Sequence, residues 1–125
     1  MKYEINKLHF VDNLLIDFRV EENLQSLVVT FESYYSKNQE SEKVEKGIFK
    51  ISISKILKSN FELNPDFAID LKREYNKEGN HFRSNEIYGI SENQSNSGRV
   101  VALKADFLEM TISCQNVELS RLGDA

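Results

Sequence analysis

The clearest periodic signal in the chain lies in residues 12–35, which read DNLLIDFRVEENLQSLVVTFESYY. Apolar residues occupy alternate positions in two runs, separated by the acidic and amide residues 21–23. Successive side chains of a strand point to opposite faces of a sheet, so this alternation predicts two half-buried strands. The short connection predicts that they form an antiparallel hairpin. The alternating residues are Leu14, Ile16, Phe18 and Val20, then Leu27, Val29 and Phe31.

Outward from this hairpin, further segments have the apolar alternation or composition of strands. The most regular is 48–57, with Phe49, Ile51 and Ile53 on one face, although its last residues also fit a single helical turn. The weakest is 3–10, which we expect to be an edge strand. The predicted strands are 3–10, 48–57, 87–90, 100–107 and 110–119.

The connections are predicted from polar and glycine-containing segments. Residues 36–47 predict a long connection in which Gly47 lets the chain turn into the next strand. Residues 91–99 predict a loop, with the turn at Ser97-Gly98. The alternation changes phase at Gln115-Asn116, which predicts a bulge or turn there.

Segment 64–79 carries the start and stop signals of a helix. Asn64 suits the N-cap, Pro65 the first helical position, and Gly79 the residue after the end. A strand is the competing interpretation, because Phe67, Ile69 and Leu71 also alternate. The signals that agree with one another favour a helix near 65–78.

These elements predict a mainly β fold, either an antiparallel sandwich or a strongly curved sheet, with one helix near 65–78. An α+β fold is the alternative. At 125 residues, the chain has the length of one domain, and we expect a single β-rich domain over 1–125.

The charge distribution indicates which partners suit the chain. The net charge is −4, and the excess lies in residues 61–125, which contain eleven acidic and seven basic residues. An acidic half without a basic cluster predicts no binding to nucleic acid or to a membrane, and suits a basic protein partner better. A homodimer through an edge strand such as 3–10 is a further possibility.

Chemistry-bearing motifs are missing from the sequence. It has no glycine-rich phosphate loop, no G-x-S-x-G, no H-E-x-x-H and no paired cysteines, so we predict no catalytic residues, metal or cofactor. Cys114 follows Met110 and Ile112 at alternate positions and should be a buried, inert thiol. The charged N-terminus and the lack of a long apolar run predict a cytoplasmic protein.

Two groups of residues are candidates for contact with a partner. Adjacent strand residues face opposite sides, so one of two neighbouring tyrosines is a candidate for an exposed aromatic anchor. The alternative is that both rings cover the edges of the core. Four glutamates in the acidic half could form a negative rim around a basic partner. The candidates are Tyr34, Tyr35, Glu74, Glu78, Glu86 and Glu92.

The later chain, with NEIYG at 85–89 and VVALKADFLEMTISCQNVEL at 100–119, resembles small β-rich bacterial proteins, some of which are immunity proteins of secreted-toxin systems. The resemblance implies a binding role without catalytic residues. We therefore expect a non-catalytic binding protein, such as an immunity-type inhibitor that masks a toxin. The alternatives are a small-ligand module that uses the concave face of a curved sheet, and a hydrolase with a carboxylate pair.

Overall fold

A computed structural model describes residues 3–9, 13–21, 23, 25–36, 44–63, 86–96, 98–106 and 108–124. Within them the chain forms seven strands and one 3-10 turn. In chain order the elements are the turn Ile5–Lys7, β1 (Leu8–His9), β2 (Asn13–Glu21), β3 (Ser26–Ser36), β4 (Val44–Leu63), β5 (Glu86–Ser95), β6 (Gly98–Ala105) and β7 (Leu108–Gly123).

All seven strands belong to one antiparallel sheet, in the order β1-β3-β2-β5-β6-β7-β4. β4 also pairs with β3, so the sheet closes on itself. The mainly antiparallel β class is confirmed, as one curved sheet whose inner face holds the core. The helix predicted near 65–78 lies outside the described residues. The α+β alternative depends on that helix and therefore remains a prediction. No helix in the described ranges is long and apolar enough to cross a membrane.

The predicted hairpin is present as β2 and β3. β3 buries every second residue from Leu27 to Tyr35, as its alternation predicts. In β2 the alternation is broken, because Leu15 pairs with Phe31 while Asp17 pairs with the adjacent Thr30. The extra residue in β2 is Ile16, and its side chain is exposed. Its predicted place on the apolar face is therefore wrong, because a β-bulge changes the phase of the strand.

The edge strand predicted at 3–10 is present in a shorter form, and residues 3–9 also close one end of the core. Among these described residues, Leu8 and His9 are strand, at one edge of the sheet, and they pair with the end of β3. The ring of Tyr3 packs edge-on against Tyr35 and Phe49, with centroids 5.0 and 5.8 Å apart. Apolar burial and edge-to-face ring packing therefore stabilise this segment, in addition to its strand pairing.

β4 is much longer than the predicted strand 48–57. It pairs with β3 from Val44 to Ser54, and with β7 from Ile48 to Leu63. The competing helical turn at its end is wrong. Instead, Lys55 has a φ of 54°, and the pairing with β7 shifts between Ile56 and Lys58. β4 therefore continues, through an irregularity, past Ser54, which is the last of its residues that pairs with β3.

Two predicted turn glycines have other roles. Gly47 lies inside β4, where an added Cβ would be 2.7 Å from Arg121 Nε, so the glycine makes room for the arginine. Gly98 begins β6 with a φ of +151°, and an added Cβ there would collide with the carbonyl oxygen of Cys114. The loop predicted at 91–99 is mostly strand, because β5 continues to Ser95 opposite Gly98.

The phase change predicted near Gln115 is present in β7. Both Gln115 and Asn116 are exposed, whereas Cys114 and Leu119 on either side are buried. The strand continues through them without a turn, since the ladder irregularity lies in β4. Cys114 is buried as predicted, and burial, with a smaller contribution from Glu92, raises the pKa of its thiol.

Candidate functional site

The two tyrosines proposed as partner contacts lie on opposite faces of β3. Tyr35 is a core residue with 3% of its surface exposed, and its hydroxyl accepts a hydrogen bond from the Glu4 backbone at 3.0 Å. Tyr34 is half-buried, and the ammonium of Lys46 lies 5.7 Å from its ring centroid. Of the pair, Tyr34 is therefore the residue whose ring has surface to offer a partner.

The proposed glutamates do not form one rim in the described part of the chain. Glu86 is exposed at the start of β5, whereas Glu92 is half-buried in a 2.5 Å ion pair with Arg99. Six residues of extended strand separate them by about 20 Å. Glu74 and Glu78 lie outside the described residues. Of the two described glutamates, Glu86 is thus the one that can contribute to a negatively charged surface.

A groove of about 480 Å³ lies close to Glu86, between β4, β5, β6 and β7. We call it the Tyr88 groove. Its exposed apolar residues are Tyr88 and Leu63, with exposed fractions of 55% and 70%. Its lining residues are Glu62, Leu63, Tyr88, Lys104, Ala105, Asp106, Leu108 and Glu109.

A β-bulge accounts for the exposure of Tyr88. Ile87 pairs with Ala105 and Gly89 pairs with Lys104, so Tyr88 is the extra residue of β5. A bulge leaves its extra residue outside the ladder and redirects the side chain. The Tyr88 hydroxyl donates a hydrogen bond to Asp106 Oδ1, which holds the ring beside the groove.

Asp106 is held in turn by the start of β5. The backbone N–H of Glu86 donates to Asp106 Oδ2 at 3.0 Å, and the Asp106 N–H donates to the Glu86 carbonyl at 3.0 Å. The Asp106 carboxylate therefore accepts from two donors, and Glu86, Tyr88 and Asp106 form one hydrogen-bonded corner. Such mutual positioning favours a preformed surface over one that orders on binding.

The electrostatics of the Tyr88 groove are dominated by carboxylates. Glu62 and Glu109 lie directly opposite each other on β4 and β7. Directly opposed residues have Cβ atoms about 5 Å apart, and like charges at that position destabilise the pair. Lys104 is the one basic residue among those that line the groove, and its Nζ is 3.6 Å from Glu109 Oε1. Together with Asp106 and nearby Glu86, the surface carries more negative than positive charge.

A second, larger groove adjoins this one and shares Glu62, Lys104 and Glu109 with it. Its volume is about 860 Å³. The small residues Gly89 and Ala102 belong to its lining. This groove is where the sheet has room for a small ligand, and its lining also includes the buried residues Ile90, Leu103 and Met110.

The described residues include no group of three or more His, Cys, Asp or Glu side chains that could hold a metal ion. No protein-family model matches the chain, and no curated protein sequence matches it. A function for the chain therefore has to be argued from the geometry of its described residues.

The residues of the Tyr88 groove were missed by sequence reasoning, apart from neighbouring Glu86. One signal for Tyr88 does exist in the sequence. Ile87 and Ile90 are both apolar but are three positions apart, which is incompatible with strict alternation and indicates a bulge between them. The Glu62–Glu109 pair carries no such signal, because the two residues are 47 positions apart and meet only through the β4–β7 register.

Proposed function

We propose that this protein is a non-catalytic binding protein that acts in the cytoplasm and masks a basic protein partner through the Tyr88 groove. The observation that carries the proposal is the exposed, hydrogen-bonded Tyr88 ring beside an excess of carboxylates. An immunity-type inhibitor of a secreted toxin is the specific form of this role that the sequence resemblance implies.

The groove combines the two components that tight protein interfaces use. Aromatic side chains held in place supply much of the binding energy of interfaces, and Tyr88 and Leu63 supply apolar surface here. Opposed like charges such as Glu62 and Glu109 repel each other, and the Lys104 ammonium forms an ion pair with Glu109. A lysine or arginine of a partner would relieve that repulsion, so charge complementarity selects a basic partner and accelerates association.

Masking requires no chemistry from the protein. A partner bound at the groove would have its own functional surface covered by β4 to β7, and steric occlusion would inhibit it. The excess negative charge predicts that the association rate falls as salt concentration rises, because the charged side chains of the groove are exposed to solvent.

The test is a pull-down from lysate of the source cells with tagged wild-type protein, followed by titration of the purified captured protein. We expect a basic protein whose affinity falls at least about tenfold for Tyr88→Ala and for Glu109→Lys. Tyr88→Phe keeps the ring and should retain most of the affinity. Tyr34→Ala is the matched control, since it truncates a tyrosine on β3 and should bind as wild type does.

Two results would contradict the proposal. One is a captured partner whose affinity is unchanged by both groove variants, with each variant shown to be folded by circular dichroism. The other is a partner that is lost equally in Tyr34→Ala, because that pattern would place the contact at Tyr34 rather than at Tyr88.

A small-ligand module is the second candidate, and the groove of about 860 Å³ favours it. It predicts a ligand that shifts the amide resonances of Gly89 and Ala102 in NMR spectra, with no effect from Tyr88→Ala. Among the described residues, the opposed Glu62 and Glu109 are the carboxylate pair that a hydrolase could use, but both are exposed to water. Enzymes normally exclude bulk water from the reacting groups, so the geometry does not favour that reaction.

A further inference from the structure

The second half of β4 has a different neighbourhood from the first half. β3 begins at Ser26, opposite Ser54, so from Ile56 to Leu63 β4 pairs with β7 on one side. On its other side, no strand of the described residues pairs with it. The backbone N–H and C=O groups that point to this side are positioned to pair with another strand.

The side chains of this edge are exposed and mixed in character. Leu57, Phe61 and Leu63 have exposed fractions of 54%, 43% and 70%. Lys58 and Glu62 are also exposed, and neither forms an ion pair within the described part of the chain. Lysines on an edge strand commonly prevent pairing with other molecules. Here Glu62 lies on the same face of the strand as Lys58. In a symmetric contact between two copies, it could form an ion pair with Lys58 of the other copy.

The sequence of the edge is complementary to itself in one antiparallel register. Residues 56–63 read ILKSNFEL. When two copies are paired with Asn60 opposite Asn60, each Lys58 lies opposite Glu62 of the other copy. Registers displaced by one or two residues place Lys58 and Glu62 opposite uncharged residues. Opposite charges in directly facing positions stabilise a strand pair, so the charges select one register.

We propose that two copies of this chain pair edge to edge through residues 56–63 of β4, antiparallel, with Asn60 on the two-fold axis. The contact is isologous, as most homodimer interfaces are. It extends the sheet across both molecules, neutralises the charge of each Lys58 and Glu62, and covers part of the exposed Leu57 and Leu63. The interaction does not depend on the function proposed for the Tyr88 groove.

The pairing leaves most of the Tyr88 groove outside the contact. β7 lies on the opposite side of β4 from the proposed contact. Tyr88 belongs to β5, Asp106 follows β6, and Glu109 belongs to β7. Glu62 is the charged residue that the groove and the dimer contact share. Its ion pair with Lys58 of the second copy would also relieve its repulsion from Glu109.

Charge reversal tests the register directly, with sedimentation velocity over a dilution series as the measurement. Lys58→Glu places two pairs of carboxylates opposite each other, and Glu62→Lys places two pairs of ammonium groups opposite each other. We expect each to raise the dimer dissociation constant at least about tenfold.

An equimolar mixture of the two variants should form a heterodimer, because the all-acidic edge of one variant then faces the all-basic edge of the other. The double variant should dimerise as wild type does, since it restores opposite charges at both facing positions.

Lys50→Glu is the matched control, since it reverses a charge on the same strand where both neighbours are already paired. It should dimerise as wild type does. A second measurement uses oxidation, because directly opposed residues at the two-fold axis are close enough for a disulfide. Asn60→Cys should form a covalent dimer, whereas Ser59→Cys, which lies opposite Phe61, should not. The native Cys114 is fully buried and should not interfere.

Several outcomes would overturn the proposal. One is a wild-type protein that stays monomeric throughout the micromolar range. Another is a dimer that survives both single reversals or that Lys50→Glu disrupts equally. Failure of the mixed variants to associate would exclude this register, and binding of the edge by a different molecule in place of a second copy would exclude the homodimer.

Discussion

The two halves of β4 have similar apolar residues but different surroundings. In residues 48–54, β4 is flanked by β3 and β7, and Phe49, Ile51 and Ile53 are at most 1% exposed. In residues 56–63, the strand is flanked by β7, and Phe61 and Leu63 are 43% and 70% exposed. Burial of an apolar strand residue therefore also depends on how many neighbouring strands flank it at that level.

The two halves of β4 also differ in role, because the first contributes to the core and the second to the proposed interaction surfaces. The half of β4 that is flanked on both sides supports the ring cluster of Tyr3, Tyr35 and Phe49, which closes one end of the core. The other half presents apolar and charged side chains to the surface. Exposed apolar residues beside complementary charges are typical of interaction surfaces, and both surfaces proposed here include residues from it.

The largest expected effect comes from truncating one phenylalanine in each half. Phe49→Ala should lower the free energy of unfolding by about 4 kcal/mol, because it leaves a cavity among three rings. Phe61→Ala should cost about 1 kcal/mol, since its ring is half exposed and contacts Phe18 at one edge. Urea unfolding of the monomer measures both. Equal losses would show that residues 56–63 are as tightly packed as residues 44–54.

A smaller effect is expected from glycines near the junction of the two halves. Gly98→Ala should lower the free energy of unfolding by about 3 kcal/mol, because it combines an unfavourable φ with a collision against the Cys114 backbone. Gly89→Ala is the control, because nothing lies within 4 Å of the Cβ that it adds. It should change the stability by less than about 1 kcal/mol. Thermal unfolding of both variants would test this, and a neutral Gly98→Ala would contradict the close approach.

The smallest effect is a pH dependence at the junction itself, where Cys114 pairs with Ile56. Burial raises the pKa of the Cys114 thiol, so the unfolded chain loses this proton at a lower pH than the folded protein. The stabilising contribution is complete below the unfolded pKa and is lost as the pH rises through the folded pKa. Above about pH 8.5, wild type should therefore lose stability more steeply than Cys114→Ala. Urea unfolding at several pH values measures this. The same pH dependence of the free energy of unfolding in wild type and Cys114→Ala would contradict the prediction.

Sequence reasoning predicted the strands that obey simple alternation. β3 and the first half of β4 bury the residues that alternation predicts, because each has a single buried face and no extra residue of its own there. It failed where one extra residue changes the phase, at Ile16, at Tyr88 and at Leu57. A bulge is stabilised by the partner strand and by tertiary packing, neither of which can be seen in a local pattern. The candidate site was missed for the same reason, since Tyr88 lies on such a bulge.

The amino-acid sequence by itself determined that the chain forms antiparallel strands, which of β3's residues are buried, and that Cys114 is an internal thiol. These properties follow from the alternation of apolar side chains, which is local. Only the tertiary structure decided that the sheet closes, that Gly47 makes room for Arg121, and that Glu62 opposes Glu109. Strand order and register depend on contacts between residues far apart in the chain. Among the described residues, β4 has no partner on one side from Ile56 onward, because β3 begins opposite Ser54.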